Sequence, residues 1–505
     1  MNNASNNIQG LKAAFDARKN YFANRSSCIF PVHLRSKTDL HIVYLNYWTI
    51  KNGIERNQLI INFRIYDSTG NAVLKTSREI GETHNQISIR SLLAENINCD
   101  ENKFDGVVEI EILSLENIQF PFPGIVGIYQ AGDLFSCVHA AGRIKNADEV
   151  QRVIYTQESN WTCKSGPGVT AFFHYFNGPT LPQEKTISVK LRNRDGAVVA
   201  SRDVSIEGMP PFGSKLFFAD EIFPGTSFEN DAFLSVTLEH NSIFPRMVVG
   251  NYFRETNFLE VTHSFPLIEK EDYCPVRPED EFQSILPAYT SQDLTLNVHV
   301  FPTNNPGIFN AVTASQSFGQ NQLTLGAMFT KSNGEASTPI TYQLDANQQF
   351  WCLQLIGEKV PSRINASYRY RVKGVNGLYS TDIADGADSC VYPPKYRHWG
   401  YGLLEKEFET TVLVRNNTHN PKMTKSAVGV LRVFDFDQEI SIPIKINAES
   451  ATSIELSRYV SQKKSGCTII PNFLSWILEV DAPSCETFWI AYRRRDGAIM
   501  GEHGI

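Results

Sequence analysis

The chain has 505 residues, too many for one hydrophobic core, and its length points to three or four domains. With 42% hydrophobic and 20% charged residues it is neither a disordered nor a membranous chain. A net charge of -7 argues against a general nucleic-acid binder, which needs surplus Lys and Arg to displace counterions.

Residues 1–10 are Asn-rich and polar, with no apolar core of a secretory signal, and no run approaches the length of a membrane span. A cytoplasmic location is therefore the default expectation, with a surface or an assembled particle reached by a non-Sec route as the alternative. Ile8, Leu11, Phe15 and Phe22 recur at helical spacing, which predicts a short helix within an N-terminal segment 1–27. So short a helix is marginal alone and is expected to dock as a cap on the first sandwich or on a partner.

From Ile29 onward the chain reads as strands. HIVYL at 41–45, LIINFRIY at 59–66 and VVEIEIL at 107–113 are β-branched and aromatic, partly alternating, and bounded by turn residues. The same order returns further on. AFFHYFN at 171–177 answers 42–46, and LFFADEI at 216–222 answers 87–93. A Phe-Pro pair recurs as Phe120-Pro121 and Phe244-Pro245. A third unit contains LTLNVHV at 294–300 and SYRYRVK at 367–373, and a fourth contains ETTVLVRN at 409–416 and GVLRVF at 429–434.

Each unit but the third closes on one stretch, Tyr492 to His503, Tyr252 to His263, and Tyr129 to His139, the last shorter by one residue. The His intervals are 263 − 139 = 124 and 503 − 263 = 240, about twice 120, and the Phe-Pro pairs are also 124 apart. Two markers at one offset indicate an internal repeat. The expected fold is all-β, with four tandem immunoglobulin-like β-sandwich repeats of about 120 residues behind the short helix. Expected limits are 28–144, 145–268, 269–388 and 389–505, with junctions where Pro and charge gather. The third repeat is degenerate, and counting 120 from His263 puts Ile383 where a closing His would stand.

The nine Cys residues show no CxxC pair, so neither a zinc ribbon nor a redox motif is expected, and the thiols are read as buried and idle. The closing residues His139, His263 and His503 have the chemistry of metal ligands or general bases. Each unit offers only one, and three could share a metal only if the units formed a ring. Their expected role is structural, with no metal and no cofactor. Arg369, Arg371 and Lys373 alternate along one strand, and Arg493 with Arg495 repeats the pattern. These five are expected to form an exposed basic comb for an acidic partner, or to protect a sheet edge by charge. Aromatic groups at Tyr44, Tyr47 and Trp48, at 172–176, and at Tyr396, His398, Trp399 and Tyr401 offer stacking faces for sugars or, more simply, fill cores. Glu109 and Glu111 alternate in the manner of a catalytic dyad, but any surface sheet yields such pairs.

No GxSxG, Walker, GxGxxG or HExxH motif is present. The expected function is a non-enzymatic structural or interaction protein: an assembly component, scaffold or adhesin-like spacer. A protein partner or self-assembly is expected, with an acidic glycan next, and neither nucleic acid nor a membrane span. The alternative is a carbohydrate-binding module or an enzyme acting on surface glycan, with its site at a domain junction.

Overall fold

The computed structural model describes residues 25–55, 59–96, 103–114, 124–139, 155–182, 184–193, 197–226, 232–240, 247–266, 283–289, 293–300, 311–315, 323–324, 340–344, 350–356, 363–375, 377–388, 396–405, 407–416, 425–435, 439–447, 450–460, 471–482 and 485–504. The expected helix over 8–22, both Phe-Pro markers and the junction stretches near 145, 269 and 389 lie outside these residues. The chain divides into two compact units, residues 1–192 with 198–266, and residues 193–197 with 267–505. Among the described residues no helix is long and apolar enough to cross a membrane.

The fold is mostly β, as the β-branched and aromatic runs require. In the first unit the strands are β1 (Arg25–Leu34), β2 (Thr38–Leu45), β3 (Leu59–Asp67), β4 (Ala72–Glu79), β5 (His84–Ser88), β6 (Phe104–Ser114), β7 (Ile125–Ala131) and β8 (Leu134–His139). They are followed by β9 (Tyr155–Thr162), β10 (Val169–Phe176), β11 (Thr186–Arg192), β12 (Val198–Ser205), β13 (Ser214–Phe218), β14 (Phe233–His240), β15 (Val248–Phe253), β16 (Phe258–His263) and β17 (Phe265–Pro266). The sheets run β1-β6-β3-β4 and β5-β2-β7-β8, then β12-β11-β14-β9-β17 and β13-β10-β15-β16.

In the second unit the strands are β18 (Gln283–Tyr289), β19 (Leu294–Val300), β20 (Ala311–Ser315), β21 (Leu323–Thr324), β22 (Ile340–Leu344), β23 (Phe350–Ile356), β24 (Arg363–Val372) and β25 (Thr381–Asp388). Then come β26 (Arg397–Leu403), β27 (Glu409–Asn416), β28 (Ala427–Phe434), β29 (Glu439–Ile446), β30 (Ser450–Glu455), β31 (Phe473–Val480), β32 (Cys485–Tyr492) and β33 (Ile499–His503). Their sheets run β18-β23-β20-β21, β22-β19-β24-β25, β26-β31-β28-β29 and β30-β27-β32-β33. One pairing scheme thus recurs: first, sixth, third and fourth strands in one sheet, and fifth, second, seventh and eighth in the other. The order departs from the immunoglobulin constant domain, whose first and second strands share a sheet.

Facing sheets bury one another's inward side chains. Between β9 and β16 the core joins Trp161, Val189, Leu191 and Val236 of one sheet to Phe173, Phe217 and Val249 of the other. In the fourth group Gly400 on β26 permits a close approach, since a Cβ there would stand 2.3 Å from the Trp476 ring and 2.9 Å from that of Trp489. The expected sugar-stacking aromatics are largely spent in such cores: Tyr44, Tyr47, Trp48, Phe172, Phe173, Tyr175, Phe176, His398, Trp399 and Tyr401 are buried, and Tyr396 is exposed. Cys28, Cys137, Cys163 and Cys485 are buried as well, and burial, with Glu109 nearby, holds the Cys28 thiol well above its usual pKa.

Within the first unit the outer face of the β1-β6-β3-β4 sheet is covered. Ile29, Tyr66 and Val107 pack with Phe176 and Phe212, and the Tyr66 and Phe212 rings stack at 4.8 Å. Glu109 and Glu111 are each only 2% exposed, and both reach Arg64 of β3 at 3.1 Å. The pair is therefore part of a structural ion cluster.

Candidate functional site at the closing strands

The closing stretch forms the last hairpin of its group. In β7–β8 the residues Ala131 and Leu134 pair across a two-residue loop whose Gly132 has φ 61°. In β15–β16 the flanking pair is Phe253 and Phe258, with Asn257 at φ 55° in the turn. In β32–β33 it is Tyr492 and Ile499, with Gly497 at φ 79°. Each loop thus places Gly or Asn in the left-handed region, where a side chain with a Cβ is otherwise disfavoured. Each Tyr stands seven residues before its cross-strand partner, Ser136, Leu259 or Ile499, so the shorter Tyr-to-His interval of β7–β8 arises because His139 pairs three residues before its Tyr and the other two pair four before theirs.

His139 lies opposite Val126, His263 opposite Val248, and His503 opposite Phe488, so all three occupy the ends of their closing strands. In the third group the hairpin from Tyr370 to Thr381 is longer, which shifts the count. The residue four before Tyr370 is Ala366, and its partner is Asp385. By register the closing position therefore falls at Asp385, counted as in the second and fourth groups, or at Ala384, counted as in the first, and in either case beyond Ile383.

In the first unit the strands β8 and β16 meet. Val261 N–H donates to Ser136 Oγ at 2.8 Å, deep in the interior. His139 follows Ser136 by three residues and His263 follows Val261 by two, so the two imidazoles arrive together. Their rings meet edge to face with centroids 4.7 Å apart. The two histidines were expected on separate units, each alone; packing of the closing strands brings them together. His263 Nδ1 donates to the Ser264 carbonyl at 3.1 Å, which puts the proton on Nδ1 and the lone pair on Nε2. In the second unit His503 Nδ1 makes the same contact with the Gly504 carbonyl at 3.2 Å.

Strand β16 also carries one partner of a buried ion pair that the sequence did not suggest. Lys164 Nζ is 2.5 Å from Glu260 Oε1, and Asn251 Nδ2 donates to Glu260 Oε2 at 3.0 Å. Its one sequence signal is hairpin register, because Glu260 falls opposite Asn251 across β15–β16.

In the second unit the strands β25 and β33 also meet. Thr381 Oγ1 donates to the Gly501 carbonyl at 3.3 Å, and Ile383 lies against Gly501. The expected basic comb is not present as an exposed stripe. Arg369 is 1% exposed, and its Nε and Nη2 donate to the two carboxylate oxygens of Asp382 at 2.8 and 2.9 Å. Strand β24 is interior to its sheet, so the alternation of Arg369 and Arg371 does not mark an edge. Arg371 and Lys373 are half-buried.

Arg493 follows the end of β32 and lies in a turn, 3% exposed, with its guanidinium held by Asp496 at 2.9 and 2.6 Å. Burial raises the Asp496 carboxyl, but the hydrogen bonds from Arg493 and the Ala498 amide and the charges of Arg493 and Arg495 together outweigh it and hold its pKa below the usual range. Arg495 is exposed and pairs with Glu407 at 2.7 Å. Between them Arg494 reaches Asp293 and Glu409, and Tyr492 Oη donates to Glu409 at 2.9 Å. Burial and that carboxylate push the Tyr492 phenol far above its usual pKa. These clusters pair their charges internally, which fixes hairpins and strand junctions.

No protein-family model matches the sequence, and no curated protein matches it. Among solved structures, the chain has a remote likeness to trypsin-activated alpha-2-macroglobulin from Escherichia coli, at 8% identity and a TM-score of 0.11. That alignment covers 92% of this chain and 30% of the other, so the chain spans under a third of that protein, and a score so low carries no argument about fold or function.

Proposed function

We infer that the chain is a non-enzymatic assembly or interaction protein, built of four tandem β-sandwich repeats with boundaries near 145, 269 and 389. The recurring strand scheme and the closing-strand contacts support the repeat reading. The observation that carries the interaction reading is β12. Among the described residues it pairs with β11 alone and forms the rim of its sheet. Val198 is 46% and Val199 51% exposed, and the strand contains neither Pro nor Lys. Its charges, Arg202 and Asp203, cancel. The comparable rim strands are guarded, β4 by Lys75 and Arg78 and β29 by Pro443 and Lys445. An unguarded rim offers a row of backbone donors and acceptors to a strand of another chain, with the valines adding apolar contact.

Arg371, Lys373 and Arg495 keep some exposure and are assigned a secondary, salt-sensitive contact with an acidic face of the same partner. The occupant proposed for β12 is a second copy of this chain. Sedimentation velocity across a concentration series tests it. The expected result is a discrete oligomer whose formation is weakened by a Val198→Lys/Val199→Lys double variant with unchanged circular dichroism. A strictly monomeric wild type, or an oligomer indifferent to the substitutions, overturns the assignment.

A further inference from the structure

The meeting of His139 and His263 has a chemistry that neither the repeat nor the assembly reading uses. Two imidazoles from different closing strands offer ring nitrogens within 4.8 Å of each other. His263 is 2% exposed, and its proton is fixed on Nδ1 by the Ser264 carbonyl, so Nε2 is a lone-pair donor. A backbone carbonyl holding the far nitrogen is the usual support behind a metal-ligating histidine, since it sets the tautomer and raises the basicity of the other nitrogen. His139 is half-buried, so this ligand keeps some contact with solvent.

We propose that His139 and His263 form a binding site for a divalent transition-metal ion of the zinc class. Imidazole nitrogens suit zinc, nickel and copper, whereas calcium and magnesium require oxygen ligands. Zinc–nitrogen bonds of about 2.0–2.1 Å put two ligand nitrogens about 3.3 Å apart across a tetrahedral angle. A turn of the half-buried His139 ring closes the gap from the present separation, while His263 stays fixed. Two protein ligands leave positions open on the ion, so the site takes further donors and binds reversibly. The structural consequence is a link between β8 and β16, beside the Ser136–Val261 contact, which staples the first two strand groups together.

The site does not depend on assembly, and its test is made at a concentration where the chain is monomeric. The full chain, cleared of metal with a chelator, is titrated with Zn2+ alone by calorimetry and followed by thermal melting. Co2+ serves as a spectroscopic stand-in that reports ligand geometry. Saturable Zn2+ binding with a rise in Tm is expected. His139→Gln and His263→Gln should each weaken that binding by roughly tenfold or more, the loss found even for residues one step behind a metal ligand. His139 is half-buried, so its variant is the safer test should His263→Gln fold poorly; both are compared with wild type in chelator. No saturable binding, or binding unchanged in a folded His139→Gln variant, overturns the proposal.

Discussion

Arg369 and Asp382 face each other across neighbouring strands and join through two parallel hydrogen bonds of 2.8 and 2.9 Å. The guanidinium has left water almost entirely, at 1% exposure, and Asp382 is 9% exposed. Removing one partner of such a pair strands the other as a buried charge, which costs about 3–5 kcal/mol. Arg369→Met should therefore lower the urea midpoint strongly. Arg369→Met/Asp382→Leu should recover most of the loss, because no charge is left uncompensated. Additive losses in the double variant would show that the ion pair is not the relevant unit.

His174 supplies a pH dependence. It is fully enclosed on β10, and burial lowers its pKa to about 3. In the unfolded chain a histidine titrates near 6.5. The folded state therefore keeps this ring neutral while the unfolded state takes a proton below about pH 6.5. Its contribution is flat above that value and turns against folding as pH falls toward 3, at up to about 1.4 kcal/mol per pH unit. Urea midpoints measured from pH 7 to pH 4 should fall more steeply for wild type than for His174→Phe. Parallel curves would contradict the assignment.

Gly400 tests the sheet-to-sheet contact of the fourth group. A methyl there meets two indole rings at 2.3 and 2.9 Å, and both Trp476 and Trp489 are fully buried. Gly400→Ala should destabilise by about 1–3 kcal/mol as the rings are forced from their rotamers. Gly53, where an added Cβ meets nothing within 4 Å, is not an equivalent control, because its φ of 67° strains any side chain. Gly81, with open space and no positive φ, is the proper control, and Gly81→Ala should be near neutral. Equal melting temperatures for the two variants would contradict the packing.

Much of the fold could be read from the residues because strand formation is local. The β-branched runs at 59–66, 107–113 and 429–434 became β3, the core of β6 and most of β28, and the closing stretch became a hairpin in each group where it was found. The site was less legible, because alternation names the face of a strand but not what covers it. Arg369 alternates with Arg371 as a surface comb would, yet Asp382 lies directly across from it. His139 and His263 are 124 residues apart, and only the packing of β8 on β16 makes them neighbours. Hairpin length misled the count to Ile383, since the third group's longer loop moves the closing position beyond it, to Ala384 or Asp385.

The central claim, that the chain works by joining its β12 rim to another copy, is tested most directly by amide hydrogen exchange of the 198–205 backbone above and below the association midpoint. Alternate amides of this strand point away from β11 and have no partner strand among the described residues. The account predicts that they exchange fast in the monomer and become protected in the oligomer, while the paired amides of β11 and β14 stay slow in both. An oligomer in which 198–205 exchanges as it does in the monomer would contradict it.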